Sequence, residues 1–480
     1  MDRAKLHQKI EENFQQEVEA LQGLLQFESV VGEPVRTKEG ELYPFGLGVQ
    51  QALEYTLKLG KNLGFETANV DNYGGHIDFG KGKEIVGAIG HLDVVPTDDG
   101  WAFAPYSGAV SDGYIFGRGT TDDKGPTIAV LFAMKALQDL GYEPYRKIRL
   151  ILGCDEEVGM EGLAYYQEKV PDPDFGFTPD GEFPVINGEK GIAGFDLVKK
   201  LDLRKSDGLT LRKLSGGSAS NMVPELARAV VNSTEKGAYD LIRQKAETFR
   251  EETGYDLKIK GTGKSLEILA TGKAAHGASP SLGLNAISIL MAFLSRLNFA
   301  DEDVNEFVDF YQKHIGFDLY GERLGCQMAD EESGPLTVNV GVAKLEKKTL
   351  SLTINIRFPV TKIDEDVYGG VIPIADGYNL GVVKEHGKVA IYQKPDAPMV
   401  QACMDIYREN TGDTASEPIV MGGGTYASHF DNMVAFGALF PGDEDLMHQR
   451  DEKLELKQFL LATKIYADAL LKFSSEDFHL

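Results

Sequence analysis

Apolar residues in the opening stretch MDRAKLHQKIEENFQQEVEALQGLLQF recur about every fourth position, with charged side chains between them. The spacing predicts a charged amphipathic helix. PFGLGVQQALEYTLKLGKNLG repeats the pattern and stops at Gly64, as a helix closed by glycine does. The texture then shortens to FETANV, GGHIDFG and EIVGAIG, three candidate strands. GPTIAVLFAMKALQDLG, with Pro126 in its first turn and Gly141 at its end, predicts another helix, followed by the strand RKIRLILGC and a helix near EGLAYYQEKV. Such alternation implies a sheet layered between helices.

Between residues 190 and 385 the pattern changes. GIAGFDLVKKL, LTLRKL, SLEILATGKAAHG and GPLTVNVGVAKLEKKTLSLTINIRFP read as strands, with helices such as LGLNAISILMAFLSRL between them. The last part returns to the first texture: a helix in APMVQACMDIYRENTG, a strand in MVAFGALFPG and a helix over DEKLELKQFLLATKIYADALLKF. The expected fold is α/β, a discontinuous domain (1–189 and 386–480) with a central mixed sheet flanked by helices. A large α+β domain (190–385) is inserted in it.

With 480 residues and 42% hydrophobic content, the chain can fill more than one core. Its formal net charge of −25 repels nucleic-acid backbones, and no basic stripe reverses it. No apolar run reaches the roughly 18 residues a membrane helix needs. The start is not built like a signal peptide, and the three cysteines, Cys154, Cys326 and Cys403, are widely spaced. The expectation is a cytoplasmic protein with neither nucleic-acid nor membrane partners.

Against so many carboxylates, chemistry has to be argued from clusters. Four follow predicted strands or sit in loops: HLD at 91–93, GRGTTDDKGP at 117–126, CDEEVG at 154–159 and FTPDG at 177–181; His448 in GDEDLMHQRDE is a fifth candidate. His91 and Asp93, two apart at a strand end, are expected to face the same way. Glu156 and Glu157 repel each other unless a cation or a proton relieves them. Two histidines with several carboxylates and no cysteine suit Zn²⁺, Mn²⁺ or Co²⁺. Two such ions about 3.5 to 4 Å apart can share a water whose pKa falls towards roughly 7, leaving a neighbouring glutamate to take its proton. His7, His76, His314, His386 and His479 lie outside these clusters and are read as surface or structural.

GHLDVVP, GRGTTDDKGP, GCDEEVG, GFTPDGEFPVINGEKG, AAHGASPSLGLNAI and LMHQRDE, in this order, resemble the M20 family of co-catalytic metallopeptidases, most closely its PepV-type dipeptidase branch. The resemblance implies a metal-dependent dipeptidase with two divalent ions, zinc first and manganese or cobalt as alternatives. His91 and Asp180 would hold one ion, Glu157 and His448 the other, and Asp122 would bridge; Asp123 is the other candidate bridge. Glu156 would be the general base, Asp93 would orient His91, and His276 would stabilise the oxyanion. Asn221 and Arg357 would bind substrate, the arginine through a terminal carboxylate. Ser428 and His429 in GGGTYASHF receive no role. Long insertions in this family supply the oxyanion histidine from the same chain, so a monomer acting on small unblocked dipeptides is expected. The alternative is an N-acyl-amino-acid deacylase or desuccinylase using the same metals.

Overall fold

The apolar run before His91 forms the strand Ile85–His91, buried at every position, in a computed structural model that describes residues 1–202, 207–261, 264–385 and 387–480. His386 lies outside the described residues. The chain divides into two compact units, Met1–Gly188 with Gln393–Ile419 and Thr425–Leu480, and Glu189–Tyr392 with Val420–Gly424. Each has its own hydrophobic core. The architecture is α/β.

In the first unit, Ile85–His91 runs parallel to Lys147–Gly153 on one side and to Phe175–Thr178 on the other. Met433–Ala435 extends the parallel set beyond Phe175–Thr178, and Ile186 pairs antiparallel with Ala435. The opposite edge is antiparallel, through Gly74–Phe79 and Glu66–Val70. The parallel strands therefore end together, and His91 lies beside Gly153. Residues that follow these ends are delivered to one rim, where open α/β sheets build sites.

The helix Lys124–Asp139 is buried from Lys124 through Met134 and packs against both Arg3–Leu25 and Leu456–Phe473. A helix apolar on every side is a core element. Each large apolar side chain it buries contributes about 1.5 to 3 kcal/mol. Gly64 and Gly141, just past the ends of Leu47–Asn62 and Lys124–Asp139, have φ of 94° and 69°, the left-handed conformation that glycine adopts freely.

Two boundaries differ from the sequence expectation. The helix expected over 451–473 begins only at Leu456, because Lys453–Glu455 pairs as a strand with Tyr114–Phe116. The helix expected from Leu282 begins at Ala286, where the Asn285 side chain accepts from the amides of Ile287 and Ser288 and caps it.

The second unit contains an eight-stranded antiparallel sheet, ordered Asp256–Lys260, Leu266–Thr271, Leu226–Ser233, Leu209–Gly216, Thr337–Glu346, Thr349–Phe358, Gly191–Lys200 and Gly381–Lys384. The helices Ala238–Thr253, Ala286–Leu294, Glu302–His314 and Asp364–Asp376 belong to the same unit. No helix among the described residues is long and apolar enough to cross a membrane.

A buried acid in the first core gives a pH-dependent expectation. Glu17 is fully buried; its Oε1 lies against the Thr463 hydroxyl, and Oε2 has no hydrogen-bond partner among the described residues. The Thr463 hydroxyl can donate to the Phe459 carbonyl at 3.0 Å, which suits a protonated Glu17 donating to Thr463. Burial pushes the Glu17 carboxyl well above its ordinary 4.5. Between that value and the higher folded one, the native state holds a proton that the unfolded chain has released, so stability falls as pH rises through this window. Glu17→Met removes the acid without orphaning Thr463. It is expected to raise the melting temperature at pH 8 by a few degrees, since about 1 kcal/mol is worth ~2–4 °C in a domain of this size. It should also flatten the decline of stability above pH 5. An unchanged slope in thermal melts from pH 5 to 8 would show that Glu17 carries none of it.

Candidate metal centre

Three chain segments beyond the parallel strand ends, and a fourth from the C-terminal part, converge on the Asp122 carboxylate. Its Oδ1 lies 3.0 Å from His91 Nε2 and its Oδ2 lies 3.0 Å from His448 Nε2. Glu157 Oε1 is 3.2 Å from the same His448 nitrogen, and Asp180 Oδ2 is 3.7 Å from His91 Nε2. Single ligand-type atoms of His91, Asp122 and Glu157 fall within 4.8 Å of one another; so do those of His91, Glu156 and Asp180. His91, Asp122, Glu156, Glu157, Asp180 and His448 are thus brought together in the first unit.

Asp123 faces elsewhere. It is fully buried, and its Oδ2 accepts from the His91 amide at 3.1 Å and from the Thr127 hydroxyl at 3.1 Å. Of the two adjacent aspartates, Asp122 has the carboxylate shared between imidazoles.

Asp93 meets His91 with both its main chain and its side chain. The ring Nδ1 lies 2.9 Å from Asp93's own backbone carbonyl and 3.5 Å from its carboxylate. The carboxylate also takes the amides of Glu156 and Glu157, one on each oxygen, both at 3.1 Å. One aspartate thereby sits against the ring of His91 and holds the backbone of the glutamate pair.

The electrostatics follow from this crowding. The Asp122 and Glu157 carboxylates hold His448 up at about 11. Burial opposes protonation of His91, but Asp122, Asp93 and Asp180 outweigh it and raise the imidazole well above its ordinary value. Burial together with the charge of Asp122 pushes Glu157 up to about 7, and burial with Asp180 raises Asp123. Asp122 itself, between two imidazoles, is held far below the carboxylate range in spite of its burial. Glu157 Oε1 is buried and pairs with His448 at 3.2 Å, but it accepts no hydrogen bond of good geometry among the described residues. A buried carboxylate oxygen so poorly satisfied, amid imidazoles and carboxylates without sulfur, fits a divalent cation of the Zn²⁺, Mn²⁺ or Co²⁺ class.

The remaining predicted residues belong to the second unit. Met222 pairs with His276 in a two-stranded ladder, and the Gly277 amide donates to the Asn221 carbonyl at 2.6 Å, so Asn221 and His276 are neighbours. Arg357 lies across from Thr337, whose hydroxyl donates to Ala278, two residues beyond His276. The Arg357 guanidinium is buried, donates from Nε to Asn355 at 2.9 Å and forms no ion pair among the described residues. Burial alone lowers it to about 10.

Two features of the first unit were not anticipated. Tyr426 sets its ring edge-on to His91, centroids 6.4 Å apart; the only signal was an aromatic residue inside the glycine-rich GGGTYASHF. Ser428 in that segment donates to the Thr425 carbonyl at 2.8 Å, closing its own short turn. The second is Glu452, buried among donors from residues 118–122.

Comparison with known proteins shows the family to which the chain belongs. Residues 87–472 match the model of Peptidase family M20/M25/M40. A Staphylococcus epidermidis protein named "Putative dipeptidase" is 38% identical over 478 residues, covering 98% of this chain and 99% of its own. Human carnosine dipeptidase 1 shares the fold at 18% identity, with a TM-score of 0.55 over 98% of this chain and 100% of its own. The dipeptidase Dug1p of Saccharomyces cerevisiae shares it at 14% identity, with a TM-score of 0.57 over 99% of each chain. The chain belongs to Peptidase family M20/M25/M40 and is a metallopeptidase, a hydrolase that works with divalent metal.

Proposed function

We propose that this metallopeptidase is a dipeptidase of the PepV type, hydrolysing small unblocked dipeptides at a dinuclear centre. The observation that carries the reading is Asp122, one carboxylate with an oxygen on each of two histidines, His91 and His448. The chain's likeness, over 98% of its length, to the protein named "Putative dipeptidase" supports the substrate class. His91 and Asp180 would hold one ion, Glu157 and His448 the other, and Asp122 both. Zinc is the first candidate, and manganese and cobalt suit the same donors. Ions held there supply Lewis acidity and a water acidified enough to attack an amide carbonyl near neutral pH.

The chain's own groups do the rest. Glu156, its amide tethered to Asp93, takes the proton of the attacking water and returns it to the departing amine. His276 accepts from the Ala278 amide at its Nδ1 (3.3 Å), which leaves the proton of the neutral ring on Nε2, a donor for the developing oxyanion. Arg357, buried without a carboxylate partner among the described residues, suits the free C-terminus of a dipeptide, with Asn221 as a further substrate contact.

Free amino acid released from Ala-Ala, tri-Ala and acetyl-Ala by metal-loaded protein tests the substrate. Cleavage confined to Ala-Ala is expected. Cleavage of acetyl-Ala with Ala-Ala untouched would make the enzyme a deacylase on the same metal chemistry. We also propose that one chain supplies both His276 and the metal ligands, so sedimentation should give a single-chain mass at working concentration. An obligate dimer in which a His276→Ala chain is rescued by mixing with an Asp122→Ala chain would overturn that reading.

A further inference from the structure

We infer that Glu452 is the positioning residue of the metal centre, fastening the loop that carries Asp122 to the segment that carries His448. The inference rests on the metal-site reading above. In a chain of net charge −25, Glu452 is fully buried. A buried carboxylate is tolerated only when its oxygens are occupied, and here they are. Oε2 receives Arg118 Nη1 at 2.6 Å. Oε1 receives the Thr121 amide at 2.9 Å, the Thr121 hydroxyl at 3.1 Å and the Gly119 amide at 3.1 Å, with the Asp122 amide further off at 3.4 Å. The Glu452 carbonyl accepts the Gly117 amide at 3.0 Å. Immediately beyond, Lys453–Glu455 is zipped to Tyr114–Phe116.

These bonds lead to the loop's main chain and to Arg118, so Glu452 acts through other residues. With its loop's amides turned towards Glu452, Asp122 presents its two oxygens to His91 and His448. Glu452 stands four residues after His448, whose own backbone is left-handed (φ 62°) and carries no regular element to hold it. Anchoring the shared carboxylate and the late histidine to one buried group makes the two segments move as one. Without the anchor, closing a metal site from two free loops would cost ordering entropy at the moment of binding.

A reporter is already in place. Trp101 is the single tryptophan of the chain, and the Arg118 guanidinium lies 5.2 Å from its ring centroid. Metal-stripped wild type, Glu452→Gln and Arg118→Met/Glu452→Gln should be titrated with Co²⁺, read by the visible absorption of the bound ion and by Trp101 fluorescence. Thermal melts of the stripped proteins run alongside. The double variant guards against misfolding, because it does not leave Arg118 buried and uncompensated. Loss of a partner that orients ligands typically costs 10–100-fold in metal affinity, so Co²⁺ binding about 10–100-fold weaker is expected in either folded variant. A merely structural role would lower the melting temperature of the stripped protein and leave Co²⁺ affinity unchanged, and that result would overturn the inference alone. Wild type that binds no Co²⁺ would remove the metal-site reading, and this inference with it.

Discussion

Glu156→Ala is expected to lower kcat for Ala-Ala by about 10²–10⁴-fold, the usual share of a general base, while metal content stays near that of wild type. The two readouts together separate two roles that the geometry brings close. A Glu156 carboxylate oxygen falls within 4.8 Å of ligand atoms of His91 and Asp180, so Glu156 is near enough to be a ligand. What supports the proposed role of base is its difference from Glu157: that neighbour pairs with His448, while the Asp93 carboxylate holds both backbones at 3.1 Å. A base lost with the ions retained lowers kcat with little change in KM. If the variant instead loses an ion, Glu156 is a ligand and the proton carrier lies elsewhere. If it stays fully active, no step depends on it.

The second large effect is expected at Asp122. Asp122→Asn keeps the shape of the side chain but replaces one oxygen by an amide nitrogen, which cannot bind a cation and would face either His91 or His448. If Asp122 is the shared donor proposed above, its loss should exceed the roughly 10–100-fold that loss of an outer partner costs. Both ions are expected to leave on dialysis, taking the activity with them. Asp123→Asn is the matched control. It disturbs contacts with the His91 amide and the Thr127 hydroxyl, so it should be felt mainly in the melting temperature. Should Asp123→Asn strip the metal while Asp122→Asn retains it, the bridge belongs one residue later.

The sequence made some of this legible for local reasons and hid the rest for distant ones. EIVGAIG, RKIRLILGC and GPTIAVLFAMKALQDLG declare themselves because burial on all sides leaves near-continuous apolar runs with glycine or proline at their edges. His91 and the Glu156–Glu157 pair stood out as candidates because they lie at or just past those strand ends. The hold of the Asp93 carboxylate on the Glu156 and Glu157 amides was not legible, because those donors arrive from a segment 63 and 64 residues away. Lys453–Glu455 reads as helix in sequence because its strand partner, Tyr114–Phe116, lies in a distant part of the chain. Glu452 was invisible for a simpler reason. Among 74 acidic residues, nothing local distinguishes the one whose donors arrive from the 117–122 loop.

The position of Met433–Ala435 bears on how the molecule is made. This strand lies between Phe175–Thr178 and Ile186, partners that leave the ribosome far ahead of it. Domains fold as they are completed during synthesis, so the second unit, contiguous apart from Val420–Gly424, is nearly whole while the first still lacks a sheet strand and the helix Leu456–Phe473. Until those arrive, Phe175–Thr178 presents an open sheet edge, a template for pairing with a neighbouring nascent chain. Polypeptides ended before residue 433 therefore carry an unfinished first unit prone to aggregation, and His448 joins the site only as synthesis nears its end.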